Sequence, residues 1–333
     1  MKNTVIFIFL LSSSVITFGQ DIHWSQFSDN PIFQNPANTG HFNGDIRFIG
    51  NYRDQWRSVT KPFSTISASV DTKLNKHKKL GFGGLLFHDV AGDGQFRTIE
   101  LQLNAAYTLK LTSDSTHCIR PGINAGMNHR QLNVDQFYFD NQFDGIQFNP
   151  GASSNEIYQT DRNSNFSIGT GFIYEYYRNK RFNITSGVSF FNLNRPNQGF
   201  FNTEIKRDIR FNFFANGIYE IGFDWDILPA FQFNLQGVYR ELLIGSRVKY
   251  TVINRLGEYR AFYSGLFYRN RDAMFLSLGM DYQQWFFGLS YDVNFSKLVP
   301  ASNGRGGFEI AIRYIMYRFK PKKIIHRICP DYI

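Results

Sequence analysis

Few side chains in this sequence stand at the spacings that catalysis or metal binding requires. The seven histidines are dispersed, and none forms a His-x-x-x-His pair beside a carboxylate that would ligate zinc. No serine and histidine stand out as the nucleophile and base of a lipase. The run Asp89-Val-Ala-Gly-Asp93-Gly94 carries carboxylates, but it lacks the full spacing and terminal acid of a calcium loop, so a turn between strands is favoured. We expect no catalytic residue, no metal site and no cofactor.

The first twenty residues have the pattern of a secretory signal. One lysine precedes an uninterrupted apolar run at 5–11, and the small residues Thr17 and Gly19 allow cleavage before Gln20 or Asp21. A retained membrane anchor is the alternative. After residue 20, no stretch approaches the ~18 apolar residues that a membrane-spanning helix needs. We therefore expect an exported protein.

The composition is unusual for a soluble protein. Aromatic residues make up 17% of the chain, with 36 Phe and 18 Tyr, yet the mean hydropathy is −0.31. Strict alternation of large apolar and polar residues produces this combination. The net charge is +9, but the basic residues are scattered and an exported protein rarely meets nucleic acid. Membrane lipid or protein partners are the expected use of the charge.

A period of two residues dominates long stretches of the chain. Between 285 and 295, the odd positions are apolar: Trp285, Phe287, Leu289, Tyr291, Val293 and Phe295. The even positions include Gly288, Ser290, Asp292 and Asn294. Residues 99–109 and 308–316 alternate in the same way. Because successive side chains of a strand point to opposite faces, each segment is a strand with one apolar and one polar face.

Strands of about ten residues are long enough to cross a bilayer at a tilt. A soluble antiparallel sandwich is the alternative, but its strands would be shorter and its apolar faces less uniformly aromatic. In lipid the sheet must close, because an open edge would leave backbone groups without partners. The expected fold class is all-β, a transmembrane antiparallel β-barrel of about 14 strands.

Fourteen segments fit this pattern. They are approximately 45–53, 64–73, 80–89, 97–108, 118–130, 165–177, 182–190, 208–221, 228–237, 240–250, 258–268, 273–282, 285–294 and 307–318. Segments 80–89 and 258–268 alternate poorly. If the first strand runs outward, the three longest connections, 131–164, 191–207 and 295–306, all lie outside, as is usual for outer-membrane barrels. An even count places both termini in the periplasm.

The pattern divides the chain into four parts. Residues 1–20 are the signal, 21–44 are a turn-rich segment expected in or under the lumen, and 45–319 form the barrel. Residues 320–333 form a basic periplasmic tail, suited to contact with anionic headgroups or a periplasmic partner. The same arrangement places Cys118 and Cys329 in one compartment, so a disulfide between them is a hypothesis.

Residues outside the alternating pattern carry a resemblance to a known family. The quoted pieces are Gln20-Asp21, Ser25-Gln26-Phe27, Asn30-Pro31, Asn35-Pro36-Ala37-Asn38-Thr39-Gly40, Tyr52-Arg53-Asp54-Gln55-Trp56, Pro62, Ser69-Val70-Asp71, Gly81-x-Gly83-Gly84, Asn192-Leu193, Pro196, Leu243-Ile244-Gly245, Arg247, Gly288-Leu289-Ser290-Tyr291-Asp292, Gly307-Phe308-Glu309-Ile310 and Cys329-Pro330. Together, and in this order, they resemble the PorP/SprF family. Thr39, which often is Tyr or Ala in the family, and the interruption Asn194-Arg195 depart from its pattern and bear on the partner rather than the fold.

The resemblance implies an outer-membrane component associated with the type IX secretion system of Bacteroidota. Members assist export and surface display of large proteins, often adhesins with a type B C-terminal sorting domain, including adhesins of gliding motility. Some are linked to the periplasmic ring or to peptidoglycan-binding partners. The resemblance also marks the family-motif residues, which are Asn35, Pro36, Gly40, Arg53, Gln55, Trp56, Arg247, Tyr291, Asp292 and Glu309.

Three functions follow as hypotheses. In the first, outer loops hold the sorting domain of an exported protein, and loop aromatics supply the contact area. These aromatics are Phe137, Tyr138, Phe139, Phe143, Phe148, Phe200 and Phe201. The second is a porin or solute channel, and the third is a structural link between the outer membrane and periplasmic machinery. At the end of the first strand, Trp56 is expected as an interfacial anchor. In the functional alternative, Arg53 and Gln55 point inward, as Asn51 does, and line a partner-binding mouth. Inward Glu100, Arg210, Arg247, Asp281, Asp292, Glu309 and Arg313 would form a polar network in the lumen.

Overall fold

Alternating side chains produce strands that pair with their sequence neighbours around a closed wall. The structure, a computed structural model, describes residues 21–57, 61–74, 79–92, 94–133, 137, 139–149, 151–152, 160–200, 204–255, 257–296 and 299–317. The strands are β1 (Ile46–Gln55), β2 (Phe63–Leu74), β3 (Leu80–Ala91), β4 (Phe96–Tyr107), β5 (Leu109–Lys110), β6 (His117–Gln131), β7 (Arg162–Asn179), β8 (Phe182–Phe191), β9 (Arg210–Glu220), β10 (Trp225–Gln236), β11 (Tyr239–Arg255), β12 (Glu258–Arg269), β13 (Ala273–Tyr282), β14 (Trp285–Asn294) and β15 (Arg305–Met316).

The wall is a closed antiparallel β-barrel of fourteen strands, as the sequence predicts. The two residues of β5 continue β4 beyond Thr108, and both segments pair with β6. Pairing of β1 with β15 joins the first strand to the last. Several strands are longer than predicted, chiefly β7 and β11, because pairing continues past the bilayer-length core of each segment.

Burial in this barrel is the inverse of burial in a soluble protein. Leu289 of β14 is 42% exposed on the outer surface, whereas Glu309 of β15 is 1% exposed inside. The same division holds along most strands, with apolar side chains outward and Asn, Ser, Arg or carboxylate side chains inward. Among the described residues, no helix has the length and apolar character needed to cross a membrane. The outward face therefore has the character of a surface that meets lipid.

The two ends of the barrel differ. At the end where β1 finishes, the connections include 132–161, 192–209 and 295–304; we call it the loop end. At the opposite, terminal end, β7 and β13 are joined to the next strands by two residues each, 180–181 and 283–284. Outward aromatic pairs stand near both ends, such as Trp285 with Tyr314 at 4.6 Å and Tyr268 with Phe295 at 5.8 Å. Such girdles mark the two interfaces of a bilayer.

Residues 21–44 lie inside the wall, and we call this segment the plug. It contains three short helical turns, Phe27–Asp29, Pro31–Gln34 and Pro36–Asn38. Its start at Asp21 lies at the loop end, hydrogen-bonded to Gln236, and its other end joins β1 at the terminal end. Ion pairing with Arg207 holds Asp21 at the loop end. The residues before Asp21 and after Tyr317 fall outside the described ranges, so the periplasmic position of both termini stays a prediction.

The plug explains why two strands alternate poorly. In β3, Leu85 and Phe87 face inward and pack with Trp24, Ile32 and Phe33 of the plug. In β12, the inward Phe267 packs edge to face on plug residue Phe27, with ring centroids 5.9 Å apart. Apolar side chains can face the lumen at these positions because an apolar part of the plug covers them.

Candidate functional site

The plug is fastened to the wall through a buried carboxylate. Glu309 accepts hydrogen bonds from the backbone N–H groups of Ser25 (2.7 Å) and Gln26 (2.8 Å). Arg53, directly opposite on β1, pairs with the same carboxylate. All of these groups are buried, and a charge-assisted hydrogen bond in such a place is stronger than a neutral one. Glu309 thus joins β1, β15 and the plug at one point.

A wider ionic cluster surrounds Ser25. Its hydroxyl donates to Asp292 at 2.9 Å and contacts Arg53 and Arg269. Arg269 also pairs with Asp292 at 3.1 Å and with Glu241 at 3.3 Å. Three carboxylates and two guanidiniums therefore meet around one plug residue, so that each buried charge has an opposite neighbour.

Further ion pairs hold other parts of the plug. Arg247 donates to Asp29 at 2.5 Å. At the loop end, Arg207 bridges Asp21 (2.8 Å) and Glu100 (3.1 Å). Although burial of Asp21 opposes its ionisation, the nearby arginines, Arg207 foremost, lower its pKa to about 2. Asp21 is therefore charged throughout the physiological pH range.

His23 is one of two plug histidines, with His41, whose pKa burial lowers. Burial and the positive charges of Arg53 and Arg269 lower the pKa of His23 well below the ordinary value. The carboxylate of Glu241 stands 3.9 Å from the same ring nitrogen, but the guanidinium of Arg53 is closer, at 3.1 Å, and opposes a charge on the ring. Docking of the plug thus selects the uncharged imidazole.

Near the terminal end, the plug backbone approaches the wall closely. A Cβ atom on Gly122 would stand 2.4 Å from the backbone nitrogen of Ala37, and one on Gly171 would stand 2.1 Å from the side-chain oxygen of Asn35. The Asn35 amide also donates to the carbonyl of Val188 at 2.9 Å. Glycine is required at these two wall positions, because any side chain would displace the plug.

Plug contacts reach nearly every side of the wall. Polar contacts with the plug come from Arg47, Asp71, Arg120, Ser189, Arg210, Gln232, Arg247, Arg269, Asp292 and Glu309. Around Trp24, Phe27 and Phe33 the remaining cavity is about 10 Å³, at the lower limit for one water molecule. Larger cavities lie on either side, of about 260 Å³ at the loop end and about 190 Å³ near Ser28. Plug residues line both spaces, Asp21 to His23 the first and Ser28 the second.

The loop-end cavity is lined by aromatic and charged side chains. Trp56 packs edge to face on Phe63 with centroids 4.6 Å apart, and Gln55 stands beside it. Trp56 thus lines the inside of the mouth instead of standing in the lipid-facing girdle. Arg130 lies in the same cavity with its guanidinium 5.8 Å above the ring of Phe96. The guanidinium donates to the side-chain oxygen of Gln198, and no carboxylate of the described residues forms a close ion pair with it, so the mouth carries a cation.

The remaining predicted site residues are separated. Arg53 belongs to the Glu309 cluster below the mouth, and Tyr291 faces outward on the wall. The predicted lumen network is not continuous: Glu100 lies in the Asp21 cluster, Arg247 in the Asp29 pair, and Asp281 pairs with Arg313 at 3.5 Å at the terminal end. Arg207, Arg269 and Glu241 were not predicted, and Ser25 was noted only as part of the family resemblance. For Arg269 and Glu241 the available signal was an inward position on a strand, whereas Arg207 lies in the connection between β8 and β9.

The loop aromatics lie beyond the wall at the loop end. Phe143 and Phe148 are exposed and form an isolated antiparallel bridge, with Ile146 between them 91% exposed. Phe137 and Phe139 contact edge to face at 6.4 Å, and Phe200 packs on Phe96 at 6.0 Å. Tyr138 and Phe201 fall outside the described residues.

The cysteines and acidic residues add no second site. Cys118 is buried near the terminal end, and its proposed partner Cys329 falls outside the described residues, so their disulfide stays a prediction. Asp89 lies within β3 and accepts a hydrogen bond from Thr65 at 2.6 Å, while the turn follows at 92–95. In the described ranges, no three His, Cys, Asp or Glu side chains converge as metal ligands.

Comparison with known proteins decides between the classes of barrel. The family model described as "Type IX secretion system membrane protein PorP/SprF" matches residues 16–314. The chain belongs to the PorP/SprF family. As a PorP/SprF protein it is an outer-membrane β-barrel of type IX secretion, and membership implies interaction with components of that system. Among curated proteins, none matches the chain.

Solved structures similar to this PorP/SprF barrel are outer-membrane channels. The Pseudomonas putida toluene transporter TodX is 8% identical, with a TM-score of 0.51, and the match covers 88% of this chain and 94% of TodX. A Pseudomonas aeruginosa FadL homologue is 11% identical, with a TM-score of 0.48 and coverage of 86% and 93%. At these identities the likeness extends to the barrel fold alone.

Proposed function

We propose that this PorP/SprF protein is a closed, non-enzymatic barrel that holds a secreted protein at its loop end. The partner is an adhesin-like protein with a type B C-terminal sorting domain, which the barrel helps to export or anchor at the cell surface, including in gliding motility. The observation that carries the proposal is the docked plug. Ion pairs join the plug to the wall across the lumen, and the cavity around Trp24, Phe27 and Phe33 measures about 10 Å³. A lumen filled in this way is unsuited to solute passage, so recognition falls to the surfaces.

The loop end offers two features suited to such a partner. Exposed Phe143, Ile146 and Phe148 form an apolar patch on an aqueous loop, where large exposed apolar side chains commonly mark interaction sites. Behind them, the loop-end cavity presents Trp56, Phe63 and the guanidinium of Arg130. Aromatic residues and arginine dominate the energetics of protein interfaces.

A triple variant tests the cargo-binding surface. Phe143→Ser, Ile146→Ser and Phe148→Ser remove the apolar patch without touching the wall. We expect surface display of the cargo to fall at least tenfold, measured by antibody labelling of intact cells, while heat-modifiable migration of the barrel stays normal. Deletion of residues 135–148 gives the same outcome in a coarser form.

The control is Phe223→Ser, which removes an even more exposed aromatic residue at the terminal end. Display should remain at the wild-type level in this variant. Normal display in the triple variant, with the barrel correctly folded, would refute the loop end as the cargo site.

Conductance separates this proposal from the porin alternative. Purified wild-type barrel in a planar bilayer should be silent, and deletion of residues 21–40 should produce steady ion conductance. A wild-type barrel that conducts as well as the deletion variant would favour a channel.

The third function, a link to a periplasmic ring or peptidoglycan-binding partner, predicts that such partners co-purify with the full chain and are lost when residues 320–333 are removed.

A further inference from the structure

One carboxylate lies on the outward side of the wall, where most other strand positions are apolar. Asp54 of β1 is on the outward side, in register with the outward Phe308 of β15, yet it is 7% exposed. It accepts hydrogen bonds from the hydroxyl of Tyr52 at 3.1 Å and from Arg57 at 2.6 and 3.3 Å. Ionisable side chains are rare on the lipid side of a membrane barrel, and one held there by hydrogen bonds indicates a functional site.

A depression in the outward surface of the wall, which we call the dent, adjoins the carboxylate of Asp54. The pairing of β14 with β15 shifts register between Tyr291 and Val293, which brings Arg305 opposite the outward Val293. A Cβ atom on Gly306 would stand 2.5 Å from the carbonyl of Asp292, so glycine is needed where the strands deviate. The result is an outward cavity of about 500 Å³ lined by Tyr52, Asp54, Arg57, Tyr291, Arg305, Gly306 and Phe308.

The charges around the dent favour an anion. Arg57 and Arg305 are exposed at its edge, and Asp54 neutralises one of them, which leaves one net positive charge. The guanidinium of Arg305 has no carboxylate partner among the described residues. Arginine pairs preferentially with the planar edges of phosphate and carboxylate groups.

The position of the dent along the barrel axis identifies the source of the anion. Tyr291 lines it, and the stacked pair Tyr268 and Phe295 stands on the same outward face near the loop end, which marks the bilayer interface there. The group that occupies this level beside an outward wall is a lipid headgroup. The aromatic rings of Tyr52, Tyr291 and Phe308 give the adjoining part of that lipid an apolar surface.

We infer that the dent between Arg57 and Arg305 binds the phosphate-bearing headgroup of one membrane lipid at the loop-end interface. This site is on the outside of the barrel, and it depends neither on the plug nor on the proposed cargo surface. One bound lipid would fix the barrel's rotation and depth beside the β1–β15 pairing.

Native mass spectrometry of the full barrel in detergent tests the site. Dioleoyl phosphatidic acid and dioleoylglycerol share acyl chains and differ by the phosphate. We expect one phosphatidic acid per barrel to bind at least tenfold more tightly than dioleoylglycerol. The variant Arg57→Gln with Arg305→Gln should weaken phosphatidic acid binding at least fivefold.

The control variant, Arg178→Gln with Lys180→Gln, removes two exposed cations at the terminal end and should bind like wild type. Equal binding of the two lipids, or equal loss in both double variants, would overturn the inference. Displacement of the lipid by millimolar inorganic phosphate would also overturn it, because the site would then be one for free phosphate. The inference is supported if the wild type and the control variant both prefer phosphatidic acid to dioleoylglycerol and the variant Arg57→Gln with Arg305→Gln does not.

Discussion

Glu309→Gln is the substitution that should loosen the plug most selectively. The two side chains have nearly the same shape, so the wall keeps its packing. The glutamine amide, however, offers one acceptor oxygen where the carboxylate offers two, and its NH₂ group would face the N–H of Gln26 or the guanidinium of Arg53. One charge-assisted contact to the plug and one ion pair are therefore lost together.

The size of the effect follows from burial. Removing one member of a buried ion pair typically costs about 3–5 kcal/mol, because the partner charge is left uncompensated. Asp292, with an oxygen 3.7 Å from Arg53, offsets a part of this cost, so the lower half of the range is expected. At about 1.4 kcal/mol per factor of ten, 3 kcal/mol raises the population of the undocked plug by roughly two orders of magnitude.

A cysteine in the wall can report this population. Ser290 is 1% exposed, lies in register with Glu309, and its hydroxyl has no hydrogen-bond partner among the described residues. Ser290→Cys, in a background with Cys118→Ser and Cys329→Ser, should react with a maleimide only when the plug lifts. The labelling rate is then expected to rise about a hundredfold in the Glu309→Gln variant.

The matched control is Glu220→Gln, which removes a half-exposed partner of Arg181 at the terminal end. Such pairs contribute little to stability, so labelling of Ser290→Cys should change less than fivefold. If Glu309→Gln labels at the wild-type rate, or if Glu220→Gln accelerates labelling as much, the ionic cluster does not hold the plug.

Three further outcomes are expected. Because burial in the docked plug lowers the pKa of His23 and also that of His41, the docked plug binds fewer protons than the undocked one. Its stability is therefore complete above pH ~6.5 and declines as the pH falls below that value. Bilayer recordings should show more openings at pH 5.5 than at pH 7.5; His23→Gln should reduce the difference, and His23→Gln with His41→Gln should remove it. Gly122→Ala, whose methyl group meets Ala37, should leave a folded barrel with an undocked plug and steady conductance, whereas Gly50→Ala, with open space around it, should remain silent. Leu289→Arg on the lipid face should destabilise the barrel in lipid by about 2–4 kcal/mol in denaturant titrations, and an undiminished midpoint would argue against a lipid-facing position.

The wall of this barrel was predictable because its signal is local. Alternation of the kind seen at 285–295 needs only two neighbours to be recognised, and fourteen such segments gave the correct strand number. The weak alternation of 80–89 and 258–268 arose where Leu85, Phe87 and Phe267 meet apolar plug residues. A period-two pattern cannot show a partner that lies inside the lumen.

The site was less predictable because its contacts join distant parts of the chain. Ser25 and Glu309 are separated by 284 positions, and Asp29 and Arg247 by 218. Family motifs marked Arg53, Asp292 and Glu309 as members of one motif set, but nothing in their spacing indicated that they converge on Ser25. Trp56 lines the inside of the mouth because its own backbone is left-handed, with φ of 57°, directly after the end of β1.

The contact between Arg53 and Glu309 also bears on how the molecule is made. These two residues are register partners across the one strand pair that joins the beginning of the wall to its end. The N-terminal residues emerge first, yet they find their carboxylate only when the final strand arrives, 256 positions later. Completion of the ring therefore brings the carboxylate that holds the inner segment into place. A ring that closed while empty would leave Glu309 without Ser25 and Gln26, which makes the vacant ring the less stable product.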